Sequence, residues 1–251
     1  MDKLSAVIIT HNEEKNIARC INSLLEIADE IVILDSFSDD KTRKVCEKYN
    51  VTFIESKWLG YSESKNLANQ NAKFDYILSL DADEELSQEL RDSIKQQKSS
   101  GFKGAYSFNR LSNYCGSWIR HGDWYPDRKM RLWNKNEGEW KGSIHEKVEL
   151  NSGVKIKLLK GDLNHYSYYN ISEHIQQINK YSELSAKDLL KRNKKGGFIK
   201  LTFSPIIQFL NSFVFKLGFL DGFNGFAIAL ITSFGTFLKY AKLREKRRAK
   251  N

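Results

Sequence analysis

Short apolar runs alternate with amphipathic stretches along the first hundred residues. The runs cover residues 4–9, 31–34, 51–54 and 76–80, and each has the length of a buried strand. Helices are predicted near residues 40–49, 61–72 and 86–98. A further helix, capped by Asn12, is predicted from the helical spacing of Ile17, Cys20 and Leu24. Strands that alternate with crossover helices indicate an α/β fold with a mostly parallel sheet.

The middle of the chain, residues 101–170, has weaker helical periodicity and many aromatic residues. This pattern predicts short strands and long loops. Most of the aromatic side chains should lie in the core, although some could form the floor of a sugar site.

The last part of the chain is helical in pattern and strongly basic. An amphipathic helix is predicted over residues 173–190, followed by a basic break at 191–197, an apolar stretch at 198–238 and a basic run at 239–250. Residues 187–251 contain 14 Lys and Arg against 3 Asp and Glu, whereas the preceding residues contain 26 against 28. A basic tail mixed with apolar residues favours an anionic membrane surface as a partner, and it argues against nucleic acid.

The apolar stretch is a poor candidate for a membrane-spanning helix. Leu217–Leu238 is long enough, but it contains Asp221, Asn224 and four glycines. Helices that lie in the membrane interface fit better. The alternative is a helical appendage packed on the catalytic domain, with the basic run as its solvated end.

The length of the chain limits the number of domains, and its cysteines indicate the redox compartment. A chain of 251 residues allows one large domain with an appendage, and the net charge is +9. Cys20, Cys46 and Cys115 are too widely spaced for a metal cluster, which fits free thiols in a reducing compartment. We expect no signal peptide, because Met1-Asp2-Lys3 leads directly into the first apolar run.

Acidic residues follow two of the predicted strands, where open parallel sheets bind their ligands. Asp35 follows the second strand, and Asp81-Ala82-Asp83 follows the fourth. Residues i and i+2 of an extended segment project to one side, so these two carboxylates repel each other unless a cation lies between them. A divalent cation, Mg²⁺ or Mn²⁺, that also binds substrate phosphates would relieve this repulsion. The alternative is a solvated acidic loop.

Three segments together resemble family-2 glycosyltransferases of the GT-A fold. They are Ala6-Val7-Ile8-Ile9-Thr10-His11-Asn12-Glu13-Glu14, then Ile33-Leu34-Asp35-Ser36-Phe37-Ser38-Asp39-Asp40-Lys41-Thr42, then Ser64-Lys65-Asn66 with Leu80-Asp81-Ala82-Asp83-Glu84. Two later segments, residues 140–146 and 218–222, resemble a narrower group that contains bacterial lipopolysaccharide-core glucosyltransferases acting on heptose.

The resemblance implies a set of residues that bind a nucleotide-sugar. The set is Thr10, Asn12, Glu13, Asp35, Ser38, Asp39, Lys65 and Asp81. Asp35 would accept a hydrogen bond from uracil or ribose, Lys65 would lie near the diphosphate, and Asp83 would hold the metal with Asp81. Without the family pattern, Asp35 and Glu13 could equally be caps of a turn or helix.

The catalytic base is less clear, because many relatives use a Glu-Asp pair that is missing after Asp83. His145-Glu146 is the best substitute, so Glu146 is the first candidate and Asp127 the second. The alternative for Glu146 is a structural salt bridge. His165 is a candidate third metal ligand, although a lone histidine is more often structural.

The resemblance therefore implies an inverting transfer of a hexose, glucose in the first instance, from a UDP-sugar to a lipopolysaccharide-core or other envelope saccharide. Residues 1–170 would form the catalytic domain, with the donor side at 1–100 and the acceptor side at 101–170, and 171–251 would associate with the inner face of the cell membrane from the cytoplasm. The rivals are a nucleotidyltransferase and a nucleic-acid-binding protein. The first usually has a glycine-rich loop after the first strand, and Thr10–Glu14 contains no glycine.

Overall fold

The computed structural model describes residues 2–142, 146–194 and 196–249. The strands are β1 (Leu4–Thr10), β2 (Glu30–Asp35), β3 (Thr52–Glu55), β4 (Tyr76–Asp81), β5 (Glu84–Leu86), β6 (Ala105–Tyr114), β7 (Ser117–Ile119), β8 (Asp127–Asn134), β9 (Gly138–Lys141), β10 (Lys147–Leu150) and β11 (Ile156–Tyr168). The helices are α1 (Ile17–Leu24), α2 (Thr42–Cys46), α3 (Tyr61–Gln70), α4 (Gln88–Ser100), α5 (Ile171–Lys191), α6 (Phe198–Leu210) and α7 (Gly222–Arg248). A π-helical turn, Asn211–Phe215, follows α6, and a 3-10 turn, Gly218–Asp221, precedes α7.

The chain divides into two compact units. The first contains the residues up to Arg110 together with Asp127–Tyr166, and the second contains Leu111–Pro126 together with the chain from Ser167 onward. Strands β6 and β11 each begin in the first unit and end in the second. The predicted division into a donor side and an acceptor side stays a prediction.

The first unit is built on a mixed sheet with the strand order β3-β2-β1-β4-β8-β6-β11-β5. The first four strands in this order are parallel, and they are the ones joined by crossover helices. Strand β8 pairs antiparallel with β4 and with β6, and β5 pairs antiparallel with β11. The fold is therefore α/β with a large central sheet, as expected, and its parallel part is the N-terminal half.

The parallel strands have continuous apolar sequences because helices cover both of their faces. The residues of β1 from Leu4 to Ile8 are almost entirely buried, as are those of β2 from Ile31 to Leu34. Their carboxyl ends lie side by side: Thr10 is in register with Asp35, and Ile9 with Asp81. The acidic residues that follow these strands are thereby fixed at one edge of the sheet.

Two expectations about local structure were wrong. Helix α1 begins at Ile17 and its N-cap position is Asn16, so Asn12 does not cap it. The backbone N–H groups of Asn12, Glu13 and Glu14 are instead satisfied by side chains of the loop after β2, which removes the need for a helical turn there. The middle of the chain contains three long strands, β6, β8 and β11, besides the short strands β7, β9 and β10. Buried aromatic residues lie in β6 and β8, whereas Leu159 and Leu163 are the buried residues of β11.

The second unit is mainly helical, and α7 packs against both α5 and α6. The 3-10 turn before α7 is fixed by Asp221, whose carboxylate accepts hydrogen bonds from the backbone N–H groups of Arg120 (3.2 Å) and His121 (2.9 Å). By length and composition, the helical stretches Phe198–Phe215 and Gly218–Arg248 could each cross a membrane. Core helices of soluble proteins can have the same length and composition.

Glycine is required at position 161, where β11 passes the first turn of α4. The φ of Gly161 is +91°, and a Cβ placed there would overlap the backbone of Glu89 and Leu90. Ser87 accepts a hydrogen bond from the Asp162 N–H at the same point (3.1 Å). The close approach of strand and helix therefore depends on a residue without a side chain.

Gly161→Ala is expected to lower the free energy of unfolding markedly more than Gly153→Ala. Gly153 has almost the same φ, +90°, but has nothing within 4 Å of its Cβ position. The control should therefore cost only the conformational penalty of about 1–2 kcal/mol. Gly161→Ala adds the overlap, for a further loss of about 2 kcal/mol or more. Urea unfolding of both variants measures the difference, and equal losses would show that β11 can move away from α4.

Candidate active site

The loops that follow β1 and β2 are bound to each other through side-chain hydrogen bonds. Asn12 accepts a hydrogen bond from the Asp39 N–H (2.9 Å), and its own N–H donates to Ser38 Oγ (2.8 Å). The Glu13 N–H donates to Thr42 Oγ1 (2.8 Å). The predicted donor-binding residues of these two loops therefore come together at the sheet edge.

Asp35 and Thr10 lie opposite each other at the base of these loops. Both carboxylate oxygens of Asp35 are engaged by Ser38, one by its backbone N–H (2.8 Å) and the other by its hydroxyl (2.5 Å). Asp35 therefore does act as a turn cap, and a role toward uracil or ribose stays a prediction. Thr10 is buried, and its hydroxyl has no hydrogen-bond partner among the described residues. A buried hydroxyl without a partner is a candidate ligand contact.

Lys65, Asp81 and Arg131 form the buried centre of the site. Asp81 Oδ1 lies 2.9 Å from Lys65 Nζ, and its Oδ2 lies 2.8 Å from Arg131 Nη2. Lys65 and Arg131 are almost completely buried, and each lies over the ring of Trp140. Burial alone would raise the pKa of Asp81, but the adjacent Lys65 and Arg131 hold it well below its usual range. Asp81 is therefore a fixed negative charge.

The ion pairs continue from this centre in both directions. On one side, Lys65 Nζ lies 3.1 Å from Glu146 Oε1. On the other, Arg131 Nη2 lies 2.6 Å from Glu84, and Arg110 bridges Glu84 (3.7 Å) and Asp127 (2.8 Å). The result is an alternating series of charges that we call the charge chain: Asp127, Arg110, Glu84, Arg131, Asp81, Lys65 and Glu146.

The two candidate bases lie at opposite ends of the charge chain and differ in their partners. Asp127 is held by Arg110 and by Lys129 Nζ at 3.0 Å. Glu146 is paired with Lys65, so the salt bridge considered as the alternative for Glu146 does form. That salt bridge also places Glu146 beside the predicted donor residues. Its neighbour His145 lies outside the described residues. Which carboxylate is the base stays a prediction.

Asp83 and His165 form a second pair, in which His165 Nε2 lies 3.1 Å from Asp83 Oδ2. The pairing of β5 with β11 positions them, since His165 is in register with Glu84. Asp81 was predicted as a further metal ligand, but both of its oxygens contact cations. Across residues 2–142, 146–194 and 196–249, no three His, Cys, Asp or Glu side chains are grouped to hold a metal. The two donors Asp83 and His165 fit a cation that completes its coordination with water and phosphate oxygens.

Glu13 lies near these carboxylates and has an altered pKa. Burial, opposed by the hydrogen bond from Asn16 and assisted by repulsion from Asp83, Asp40 and Asp81, raises the pKa of Glu13 to about 7. Carboxylates outnumber cations in this region: Glu13, Asp81, Asp83, Glu84 and Glu146 lie near Lys65, Arg110 and Arg131. The edge of the sheet is therefore electronegative.

The sequence interpretation missed Arg131, Glu84 and Trp140 as parts of the site. Arg131 lies inside the apolar run Met130–Trp133 of β8. A charged residue in a buried strand needs a partner of opposite charge, so its position alone was a usable signal. Glu84 belongs to the segment that resembles the family but is not among the predicted site residues, and the structure shows it completely buried.

Comparisons with known proteins identify the family and several relatives of this chain. The model of glycosyl transferase family 2 matches residues 5–161. An uncharacterized glycosyltransferase of Rickettsia typhi is 38% identical over 256 residues, which cover 98% of this chain and 88% of that protein. The lipopolysaccharide core biosynthesis glycosyltransferase LpsC of Rhizobium meliloti is 30% identical, over 97% of this chain and 92% of LpsC. Among solved structures, S. aureus TarS 1–349 covers 99% of this chain and 92% of its own, at 17% identity and a TM-score of 0.48.

Glu13→Gln is expected to raise the melting temperature at pH 8 and to change it little at pH 4. The pKa of Glu13 is about 7 in the folded protein against an ordinary value of 4.5. Between these values the unfolded chain releases a proton that the folded protein retains, so stability falls as the pH rises. The gain from the substitution should therefore grow from pH 4.5 to 7 and then level off.

Thermal melts at a series of pH values, in the presence of a chelator, measure this effect. Glu47→Gln removes an exposed carboxylate from the end of α2 and serves as the control, for which no such gain is expected. A gain that is independent of pH would show that ionisation of Glu13 is not the cause.

Proposed function

The chain belongs to glycosyl transferase family 2, and from that premise we propose that it transfers a hexose, glucose in the first instance, from a UDP-sugar to a saccharide of the lipopolysaccharide core or another envelope glycan. The observation that carries the proposal is the position of Lys65, which is buried between Asp81 and Glu146 at the carboxyl ends of the parallel strands. The acceptor class is supported by LpsC, which resembles this chain over nearly its whole length.

The loops after β1 and β2 would bind the nucleoside of the donor. Thr10 supplies a buried hydroxyl that has no hydrogen-bond partner in the part of the chain that the structure describes. Asn12, Ser38 and Asp39 fix the two loops against each other. The carboxylate of Asp35 would hold the loop after β2 in its conformation through Ser38. The same carboxylate would accept the hydrogen bond from uracil or ribose. Preformed loops reduce the entropy lost on binding.

A divalent cation, Mg²⁺ or Mn²⁺, would be held by Asp83 and His165. When bound, it would neutralise the diphosphate that leaves with the nucleotide. The excess of carboxylates at the sheet edge supports this assignment, because a diphosphate approaching it would be repelled without an added positive charge. Lys65 would contribute a second positive charge near the diphosphate, with its own position fixed by Asp81.

Glu146 would take the proton from the acceptor hydroxyl as that oxygen attacks the anomeric carbon, and configuration would invert. Its pairing with Lys65 holds the carboxylate beside the proposed donor residues. Asp127 is a weaker candidate because Arg110 and Lys129 both bind it. An acceptor attached to lipid would place the reaction at the cytoplasmic face of a membrane.

A screen of nucleotide-sugars for nucleotide release, with Mg²⁺ or Mn²⁺ present, tests the proposed function. We expect release of UDP from UDP-glucose, enhanced by a lipopolysaccharide-core acceptor. Formation of a nucleotide-sugar from a sugar phosphate would support the nucleotidyltransferase alternative. Activity only with a donor carrying another nucleotide would overturn the assignment of a UDP-sugar.

Asp83→Asn is expected to abolish transfer and to weaken metal-dependent binding of UDP sharply, with little change in melting temperature. The substitution keeps the shape of the side chain but removes the charge that would attract the cation. Asp92→Asn, at an exposed position of α4, is the matched control and should behave as the wild type. Isothermal titration of UDP with and without Mn²⁺ separates the two effects. A folded Asp83→Asn protein with unchanged metal dependence would exclude Asp83 as a ligand.

Glu146→Gln is expected to lower kcat by roughly 10²–10⁴-fold and to leave donor affinity nearly unchanged. A general base accepts the proton in the transition state and does not contribute to binding of the donor. A purely structural salt bridge predicts the reverse, namely a lower melting temperature with near-normal turnover. Asp127→Asn, measured in the same assay, is the comparison. Should that variant lose the activity while Glu146→Gln retains it, the base is at the other end of the charge chain.

A further inference from the structure

Two helices of the second unit each expose a stripe of large apolar side chains. On α6 and the π-helical turn the stripe is Ile199, Phe203, Ile206, Leu210 and Val214. On α7 it is Phe223, Phe226, Leu230, Phe234 and Phe237. The spacing of three and four residues puts each set on one side of its helix. These ten residues are called the apolar face below.

The two stripes belong to helices that pack together. The Ser233 hydroxyl of α7 donates to the Pro205 carbonyl of α6 (2.6 Å), and the ring of Phe226 lies 5.7 Å from that of Phe213. The ten side chains are on average about half exposed, which leaves on the order of 1,000 Å² of apolar surface. Contiguous apolar patches of this size on protein surfaces mark sites that bind another protein, a membrane or a ligand.

Helix α5 packs on a different side of α7 from the apolar face. Gly235, Lys242 and Lys246 of α7 meet α5, through Ile178, Asn179 and Glu183 respectively. At 100° per residue, these positions lie roughly 140° around the helix from the α7 stripe. α5 also exposes charged side chains along its length, at Glu173, Lys180 and Lys187.

This arrangement distinguishes a helix that lies on a membrane from one that crosses it. If α7 crossed the bilayer, α5 would be carried into the hydrocarbon beside it, together with its exposed charges, at a high energetic cost. With the helices parallel to the membrane plane, the apolar face enters the interface and α5 remains on the water side.

Exposed cations accompany the apolar face and define the kind of surface it suits. Arg244 and Arg248 are exposed at the end of α7, and Lys200 is exposed in the first turn of α6. Lys242, Lys246 and Arg247, in contrast, are used within the unit to bind α5 and the segment after it. The exposed cations complement the negative headgroups of anionic lipids.

We propose that the apolar face binds in the plane of an anionic lipid bilayer, with Lys200, Arg244 and Arg248 contacting lipid headgroups and α5 facing water. The proposal does not depend on the sugar that is transferred, and binding is measured without donor or acceptor. It can therefore fail while the proposed transferase activity holds, and the reverse is equally true.

Flotation of the full chain with vesicles tests the binding. The wild type should float with vesicles of phosphatidylglycerol and phosphatidylcholine, and far less with phosphatidylcholine alone. The double variant Ile207→Asp, Phe234→Asp places charges beside and within the apolar face and should lower the partition coefficient by about tenfold or more. Its control is Ile156→Asp, Leu158→Asp, which changes two exposed apolar residues of β11 in the first unit.

A second pair of variants tests the role of charge. Arg244→Glu, Arg248→Glu should lower binding to anionic vesicles by about tenfold or more, and should reduce its dependence on salt. Lys44→Glu, Lys48→Glu makes the same change of charge at exposed positions of α2 and the turn after it, and should have little effect. Melting temperatures of all variants exclude misfolding as the cause.

The depth of labelled residues separates lying from spanning. Spin labels on single cysteines at positions 203, 226 and 237 should all be shallow and similar in depth, in a background in which Cys115 is replaced by serine. A spanning arrangement would place the middle of a helix deepest, with its ends at opposite interfaces. That result, or unchanged flotation of the Ile207→Asp, Phe234→Asp variant, would overturn the proposal.

Discussion

The buried pairing of Arg131 with Asp81 and Glu84 is the constraint on which the site depends. Burial by itself would lower the pKa of Arg131, but the adjacent carboxylates of Glu84 and Asp81 raise it above its usual value, so the guanidinium stays charged. Removing one member of such a group would leave the others charged and unpaired inside the protein. The end of β4 is therefore fixed by β8, and the position of Lys65 is fixed in turn, because it shares Asp81 with Arg131.

An alternating series of charges has a functional consequence as well as a structural one. Each cation in the charge chain is shared by two carboxylates, so little positive charge remains to attract a nucleotide diphosphate. Asp83 lies at the same sheet edge, and Glu13 adds negative charge there only as the pH rises through its pKa of about 7. The proposed cation and the proposed nucleoside contacts of the loops after β1 and β2 would therefore have to supply the attraction for an anionic donor.

Much of the first unit could be predicted from sequence because its signals are local. The apolar runs of β1, β2 and β4 are continuous, and the acidic residues that follow them are read directly from the chain. The start of α1 could not be predicted, because the N–H groups of residues 12–14 are satisfied by a loop about 26 residues further along the chain.

The charge chain was missed for the same physical reason. Lys65 and Glu146 are separated by 81 residues, and Arg131 and Asp81 by 50, and no pattern along the chain reports such contacts. The sequence did supply the types of residue, since Asp81, Lys65, Glu146 and Asp127 were all selected from motifs. What it could not supply was their connection through Arg131 and Glu84, which turns four separate candidates into one electrostatic unit.

The C-terminal region is basic and apolar, as its sequence predicts, but the number of its Lys and Arg residues overstates the number of exposed cations. Lys242, Lys246 and Arg247 form hydrogen bonds and ion pairs within the second unit, so fewer cations are exposed than the count implies.

The turn between α6 and α7 is held by polar contacts, from Lys216 to Asp123 (2.7 Å) and from His121 to Asp221 (2.9 Å). Asp123 lies four positions before Asp127, the first residue of β8. The strand that carries Arg131 thus begins a short covalent distance from the turn between the two apolar helices.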